Sequence, residues 1–295
     1  MSLFWGVDLG GTKIEAVVLE DPHRPSPLVR RRTATEREKG YRHILSRIRM
    51  LIDEIVTEEG LPRPDRIGFG TPGSCDPTTG RMRNCNTTCL NEQTLPADLC
   101  ELLQAEVEVQ NDANCFALAE TLMGSAHGCS VVFGTIFGTG VGGGLVVEGR
   151  ALPGRHGIAG EWGHTVIEPN GEDCYCGKKG CLETLVSGPS LERFHLGRTG
   201  KQESLKEVMT RGGEDAEAVE ERLLRYVGES LGAVINLVDP DAVVLGGGVG
   251  QIPCLVQRLP MELPRWVVNP SPKTPILLPA LGDSAGVFGA ALLVA

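Results

Sequence analysis

Two stretches of the chain repeat one pattern. Residues 4–20, FWGVDLGGTKIEAVVLE, and residues 131–150, VVFGTIFGTGVGGGLVVEGR, each read as a β-rich run, a glycine turn holding a Gly-Thr pair, and a returning β-rich run. Glycine turns can present bare backbone N–H groups. Gly10, Gly11, Thr12 and Lys13 in the first, and Gly138, Thr139 and Gly140 in the second, are therefore candidate phosphate cradles. A hairpin repeated in this way predicts two related α/β halves, and a cleft between them would hold a nucleotide. Neither turn is the GxxxxGK[ST] loop that specifies a P-loop enzyme. At 295 residues the chain is long enough for two domains, each with its own core.

Around the hairpins, helix and strand patterns alternate. Ile44, Leu45, Ile48, Leu51, Ile52 and Ile55 recur at helical spacing within residues 41–59, and Gly60 stands where a C-terminal cap belongs. RIGFGTPG reads as a strand running into a turn, VEVQ as a strand leading to Asn111 and Asp112, and ANCFALAETLMG as the helix that follows. On the residues alone Asp112 has two readings, a proton acceptor at a strand end or merely the N-cap of that helix. Farther along, YVGESLGAVINLVDP is helical, DAVVLGGG is a buried strand ending in Gly246, Gly247 and Gly248, and GDSAGVFGAALLVA is a glycine-led helix. The glycines at 246–248 and 282–289 are expected to let backbone approach a flat ligand. Residues 212–221 read as a solvated acidic helix face.

The densest chemistry lies in GEWGHTVIEPNGEDCYCGKKGCLET, residues 160–184. His164, Cys174, Cys176 and Cys181 form a Cys3His set, and Gly177 and Gly180 let the loop turn tightly enough to aim three sulfurs at one point. Four protein ligands, with no position left for water, describe a structural zinc; a catalytic zinc usually keeps three. The other seven cysteines, Cys75, Cys85, Cys89, Cys100, Cys115, Cys129 and Cys254, follow no ligand spacing and are expected as small buried apolar side chains. His23, His43, His127, His156 and His195 show no partner pattern. A formal net charge of −10 argues against nucleic-acid or anionic-membrane binding, which would need basic groups to meet phosphates. The first apolar run is short and broken by Asp8, unlike a signal peptide or spanning helix, so a soluble, cytoplasmic protein is expected.

Eight segments occur in order: DLGGTK at 8–13, GTPG at 70–73, NDANCFALAE at 111–120, GTGVGGG at 138–144, AGEWGH at 159–164, CYCGKKGCLE at 174–183, LGGG at 245–248 and GDSAG at 282–286. Together they resemble the ROK (repressor, open reading frame, kinase) family of bacterial sugar kinases and sugar-responsive repressors, over essentially the whole chain. The resemblance implies an α/β, two-domain actin-like ATPase (ribonuclease H-like) fold with an interdomain cleft. Residues 1–113, joined by the C-terminal helix 284–295, would form the N-terminal domain, and residues 114–283 a larger C-terminal domain carrying the zinc motif. It also implies ATP, with Mg2+ bridging its phosphates, held by Asp8, the two glycine turns and Gly246 to Gly248. Lys13 reads either as a γ-phosphate contact or as a solvated side chain.

In the family the aspartate matching Asp112 accepts the proton of the sugar hydroxyl, and Asn111 would hold a neighbouring hydroxyl. The residues matching Glu161, His164 and Glu183 contact the sugar, with one His164 ring nitrogen on zinc, and Gly73, Asn86 and Thr87 fall in further sugar-binding segments. The zinc loop would then brace one wall of a sugar pocket. Dimers are common in the family, which leaves a homodimer open; no interface is legible in the sequence. The loop NCNTTCLNEQTL, residues 84–95, is most similar to the fructokinase and mannokinase branch, so an ATP:hexose phosphotransferase acting on fructose or mannose is expected. Glu92 stands where those kinases usually have glycine. N-acetylglucosamine and N-acetylmannosamine kinases share NDANCFALAE almost as well, and glucokinases share the rest, so these substrates remain alternatives. A repressor of this family would carry an N-terminal helix-turn-helix domain, whereas here the first strand already begins at Phe4 and the acidic charge offers no DNA-binding surface, so a repressor is not expected; a non-catalytic sugar-sensing member is the remaining alternative of another class, and the intact Asp112 and glycine turns argue against it.

Overall fold

The structure, a computed structural model, describes residues 3–295. The first hairpin forms as its sequence predicts, β1 (Phe4–Leu9) running antiparallel to β2 (Lys13–Leu19). Strand β3 (Val29–Ala34) adds antiparallel to β2. Its pattern hid it: only Val29 is buried, and Arg30 to Arg32 are exposed, so no alternation marks it. Strand β4 (Arg66–Thr71) joins β1 in parallel, β5 (Ser74–Cys75) and β6 (Met82–Arg83) make a small separate ribbon, and β7 (Glu106–Asn111) runs parallel to β4. The sheet order is β3-β2-β1-β4-β7.

A second sheet has the same plan. It contains β8 (Val131–Phe137), β9 (Val141–Val147), β10 (Arg150–Ala151), β11 (Ala242–Gly246) and β12 (Ile276–Leu277), in the order β10-β9-β8-β11-β12. As β1, β4 and β7 are parallel in the first sheet, so β8, β11 and β12 are parallel here. Two sheets of one order, each opening on a glycine hairpin, are the actin-like ATPase (ribonuclease H-like) architecture. The chain divides into two compact units, one of Met1–Gly128, Gly144–Ala159 and Ala280–Ala295, the other of Cys129–Gly143 and Gly160–Pro279.

In the first unit, α1 (Tyr41–Glu59) buries Ile44, Ile48, Leu51, Ile52 and Ile55 and ends at Gly60, whose φ of 65° is the left-handed cap the sequence predicts. Helix α2 (Leu95–Leu103) buries Leu95, Leu99 and Leu103, and α3 (Asp112–Leu122) follows β7 directly. One core joins the inner faces of β1, β2 and β4 to α1 and α2.

The second unit carries α4 (Glu183–Val186), α5 (Gly188–Thr199), α6 (Leu205–Arg211), α7 (Glu214–Val238), α8 (Gly247–Gly250), α9 (Pro253–Gln257) and α10 (Leu259–Glu262). The acidic stretch read at 212–221 and the helical stretch read from Tyr226 are one helix, α7, which buries Ala216 and Val219 even within its acidic part. Its core is built from Phe133, Phe137, Trp162, Leu223, Val227, Leu231 and their neighbours.

Helix α11 (Ala285–Leu292) returns to the first unit. Register partners Gly6 on β1 and Gly68 on β4 leave no space for a Cβ against the α11 backbone at Ala290 and Ala291, so the helix lies directly on the sheet. Gly289 is likewise pressed against the α3 backbone at Cys115. Packing is therefore what Gly289 provides, in place of the ligand approach expected for the 282–289 glycines.

Glu120 on α3 is fully buried and accepts N–H groups from Ser125 (2.9 Å), Ala280 (3.0 Å) and Leu281 (2.9 Å). Among the described residues no helix is long and apolar enough to cross a membrane.

Candidate active site

The residues singled out from the sequence fall into two groups, one in each unit. In the first unit the β1–β2 turn closes with Gly10 N donating to Lys13 O at 2.9 Å, while Thr35 donates its hydroxyl to Gly10 O at 2.7 Å and its amide to Thr12 O at 3.0 Å. A side chain at Gly11 would meet Arg37 Nη1 at 3.1 Å and Thr87 Oγ1 at 3.4 Å, so a guanidinium stands beside the turn. Sequence reading missed Arg37, which lies outside every motif. The Lys13 side chain is partly exposed. It pairs with Glu15 at 3.1 Å, and Glu15, buried within β2, also draws Arg32 (3.0 Å) and Arg30. These cations hold Glu15 below the usual carboxylate range although burial pushes it up.

Asp8, the penultimate residue of β1, lies between two glycines: a Cβ on Gly70 would meet its Oδ1 at 3.5 Å, and one on Gly286 its Oδ2 at 3.6 Å. Burial first, then the negative charges of Asp112 and Glu15, push the Asp8 carboxyl up to about 7.

Asp112 is the first residue of α3. The N-cap is Asn111, whose Oδ1 accepts Ala113 N–H at 2.9 Å, and Asp112 Oδ1 accepts the same N–H at 2.8 Å. Reading Asp112 as merely the cap thus gives way to a cap at Asn111. The Asn111 amide donates to Gly73 O at 2.8 Å, which leaves it one N–H for a ligand. Gly73 has φ 73° and no room for a Cβ against Cys85. Asn91 holds the following loop, its Oδ1 accepting Cys85 N–H at 2.8 Å; within that loop Asn86 is exposed and Thr87 buried. Glu92 adopts φ 65°, the left-handed region that glycine occupies without strain.

In the second unit the β8–β9 turn is closed by Gly138 N donating to Gly140 O at 2.9 Å. Glu183 at the head of α4 lies against this turn, its Oε2 accepting Val141 N–H at 2.9 Å. Trp162 fixes the neighbouring segment: its indole N–H donates to Gly142 O at 3.0 Å, and its ring packs edge-on against Phe133 and Phe137. The residues on either side, Glu161 and His164, are thereby held near Glu183. Burial and then the Glu183 charge raise the Glu161 carboxyl, and burial lowers the His164 imidazole. Glu161 Oε2 is 3.8 Å from His164 Nε2.

The Cys3His set also comes together. One ligand atom from each of His164, Cys174, Cys176 and Cys181 lies within 4.8 Å of all the others. His164 Nδ1 is 3.6 Å from Cys174 Sγ, and Cys176 Sγ is 3.6 Å from Cys181 Sγ. A tetrahedral zinc with bonds of about 2.3 Å to sulfur and about 2.0 Å to nitrogen has ligand–ligand edges of roughly 3.5–3.8 Å, so these residues fit that ion. Gly177 and Gly180, at φ 88° and 64°, supply the tight turns expected of them.

The three glycines at the end of β11 divide their work. Gly247, at φ 78°, is pressed against the Phe137 backbone, and Gly246 is the last residue of the strand. Only Gly248 lines open space, a cavity of about 700 Å3 whose walls include Gly138, Thr139, Leu205, Met209 and Val249. Leu205 and Met209 are on α6, which sequence reading did not identify. Of the seven remaining cysteines, Cys85, Cys115 and Cys254 are buried as expected, whereas Cys75, Cys89, Cys100 and Cys129 are partly exposed. His195 has a partner after all, Glu203 at 2.9 Å, and His43 pairs with Glu36 at 2.6 Å.

Comparison with known proteins agrees with this fold. Over residues 4–295 the chain matches the family model described as ROK family. It is 34% identical to a protein named N-acetyl-D-glucosamine kinase from Yersinia pseudotuberculosis, over 99% of this chain and 98% of that one. Among solved structures it is similar to a ROK hexokinase from Thermus thermophilus (TM-score 0.87, 33% identity, 99% and 97% of the two chains). It is also similar to a ROK family glucokinase from Streptomyces griseus in complex with glucose and AMPPNP (TM-score 0.81, 28% identity, 99% of both chains). With the paired sheets, the glycine hairpins and the Cys3His loop already in place, the family model along nearly the whole chain leads to one conclusion: the chain belongs to the ROK family.

Proposed function

We propose that the protein is an ATP-dependent sugar kinase acting on N-acetylglucosamine. Relatives named N-acetyl-D-glucosamine kinase, from several bacteria and 33% to 35% identical along almost the whole chain, support that sugar over the fructose or mannose expected from residues 84–95. A twelve-residue loop weighs less than full-length similarity, and this loop departs from its own branch at Glu92.

The observation that carries the kinase reading is the Asp8–Asp112 pair. Phosphoryl transfer is chiefly positioning and charge stabilisation, and it needs one carboxylate to take the hydroxyl proton and others to manage cationic charge. Asp112, the first residue after β7, is the base. Asp8 suits Mg2+ brought with ATP: its carboxyl is crowded by other negative charges, and flanking glycines leave room beside it. That ion would neutralise charge on the phosphates. In the first unit the turn N–H groups of residues 10–12, with Arg37 beside them, suit phosphate; in the second unit the turn N–H groups of residues 138–140 suit phosphate as well, and the cavity beside Gly248 offers Leu205, Met209 and Val249 to an adenine ring. Glu161, His164 and Glu183 bind sugar hydroxyls, and a zinc ion held by Cys174, Cys176, Cys181 and His164 would fix the His164 ring in place.

The test is an ADP-release assay with ATP and Mg2+ against N-acetylglucosamine, N-acetylmannosamine, glucose, mannose and fructose, with Asp112→Asn as control. The expected outcome is preferential turnover of N-acetylglucosamine that falls about 10^2- to 10^4-fold in the control, with sugar binding retained. Turnover of another sugar would replace the substrate, and a fully active control would remove Asp112 from the mechanism.

A further inference from the structure

The geometry points to Tyr175 as a specificity-determining residue: its hydroxyl, docked on His164, holds the place of a sugar hydroxyl and is displaced when the sugar binds. This rests on reading Glu161, His164 and Glu183 as sugar-binding groups.

Tyr175 lies between two of the clustered cysteines, and its side chain leaves the loop on the side of these three residues. Its Oη is 3.0 Å from His164 Nε2, and its ring meets the imidazole edge-on, with centroids 5.1 Å apart and planes at 85°. The other ring nitrogen, Nδ1, faces Cys174 Sγ. An imidazole whose Nδ1 serves a metal or a thiolate keeps its proton on Nε2, so Nε2–H donates and the phenol oxygen accepts. The phenol then has its own hydrogen to give, within the field of the Glu183 and Glu161 carboxylates. Accepting from the histidine while donating toward a carboxylate is also what a bound sugar hydroxyl would do there.

Unlike Trp162, which is buried and pinned on both sides, Tyr175 is 67% exposed. Among the described residues its hydrogen bond to His164 is the only one its hydroxyl makes. A ring anchored at one point can swing out at little cost. Leaving costs one hydrogen bond, so a sugar able to replace that bond loses little, and one lacking a hydroxyl at this position cannot dislodge the phenol.

Tyr175→Phe removes the competing hydroxyl and keeps the ring. With N-acetylglucosamine the expected result is a KM about fivefold lower, the equivalent of one ordinary hydrogen bond, with kcat within about twofold and zinc content unchanged. Adding the sugar to wild-type protein without ATP should also give a tyrosine ultraviolet difference spectrum that Tyr175→Phe lacks. A KM that rises would make Tyr175 a retained sugar ligand and overturn the displacement. An unchanged KM, or the same spectrum in both proteins, would overturn it as well. The kinase reading fails separately, if the wild type turns over no sugar; the spectrum needs only binding and still decides the role of Tyr175. Wild-type protein that neither binds nor phosphorylates the sugar would sink both.

Discussion

Replacing Asp8 by asparagine should make the ligand-free protein more stable, and more so as the pH rises. Folding lifts this carboxyl from its ordinary 3.8 to about 7, chiefly through burial and then through the Asp112 and Glu15 charges. An acid whose folded pKa is raised favours the folded state only while protonated. Its ionisation therefore removes stability progressively as the pH climbs from 3.8 to about 7, and the full penalty stands above that window. A displacement of roughly three units corresponds to about 4 kcal/mol at neutral pH and above. At pH 5 the same two values leave less than half of that penalty, so the larger part of it, roughly 3 kcal/mol, should appear between pH 5 and pH 8. Asparagine has nearly the same shape and no charge. The assay is the apparent Tm of wild type and Asp8→Asn, without nucleotide, at both pH values. The advantage of the variant should grow by roughly 5 °C from pH 5 to pH 8. An equal advantage at both would mean that Asp8 titrates normally and that the carboxylate pair does not exist in the sense argued above.

Two further outcomes follow from the loops. Cys176→Ser should reduce bound zinc from about one per chain, lower stability by about 2 kcal/mol or more and raise the KM for the sugar, as read by elemental analysis, denaturation and kinetics; undiminished zinc would mean that Cys176 is not a ligand. Glu92→Gly should stabilise the protein by about 0.5–1 kcal/mol in denaturant titration, because a non-glycine residue is strained at φ 65°. A loss of stability would show that the glutamate side chain contributes more than its backbone costs.

What could be read from the sequence was local. The spacing of Ile44 to Ile55 and the cap at Gly60 delimit α1 correctly at both ends, because helix period and left-handed glycine are properties of a few consecutive residues. The two hairpins and the Cys3His set were legible for the same reason. Whatever depends on partners distant in sequence was not. Lys13 could not reveal that Glu15 also binds arginines from β3, nor Gly247 that its neighbour is the Phe137 backbone rather than a ligand. Glu120 ended a recognised motif, yet its task of receiving N–H groups from residues 280 and 281 is set by the return of the chain. Strand β3, with three consecutive arginines, lacks a buried face and so lacks the signal that announces a strand. The fructose expectation rested on local similarity in one loop, whereas relatives similar along nearly the whole chain carry another sugar in their names.

The glycine bed formed by Gly6 and Gly68 has a consequence for how the protein is made. The element that rests on it, α11, is separated from β1 by the entire second unit, so a ribosome must deliver that unit before the first sheet can be covered. Until then the shallow bed that Gly6 and Gly68 leave on one face of β1 and β4 lacks the helix that fits it. The first unit is thus begun early in synthesis and finished only when its last segment, residues 280–295, has followed the second unit out.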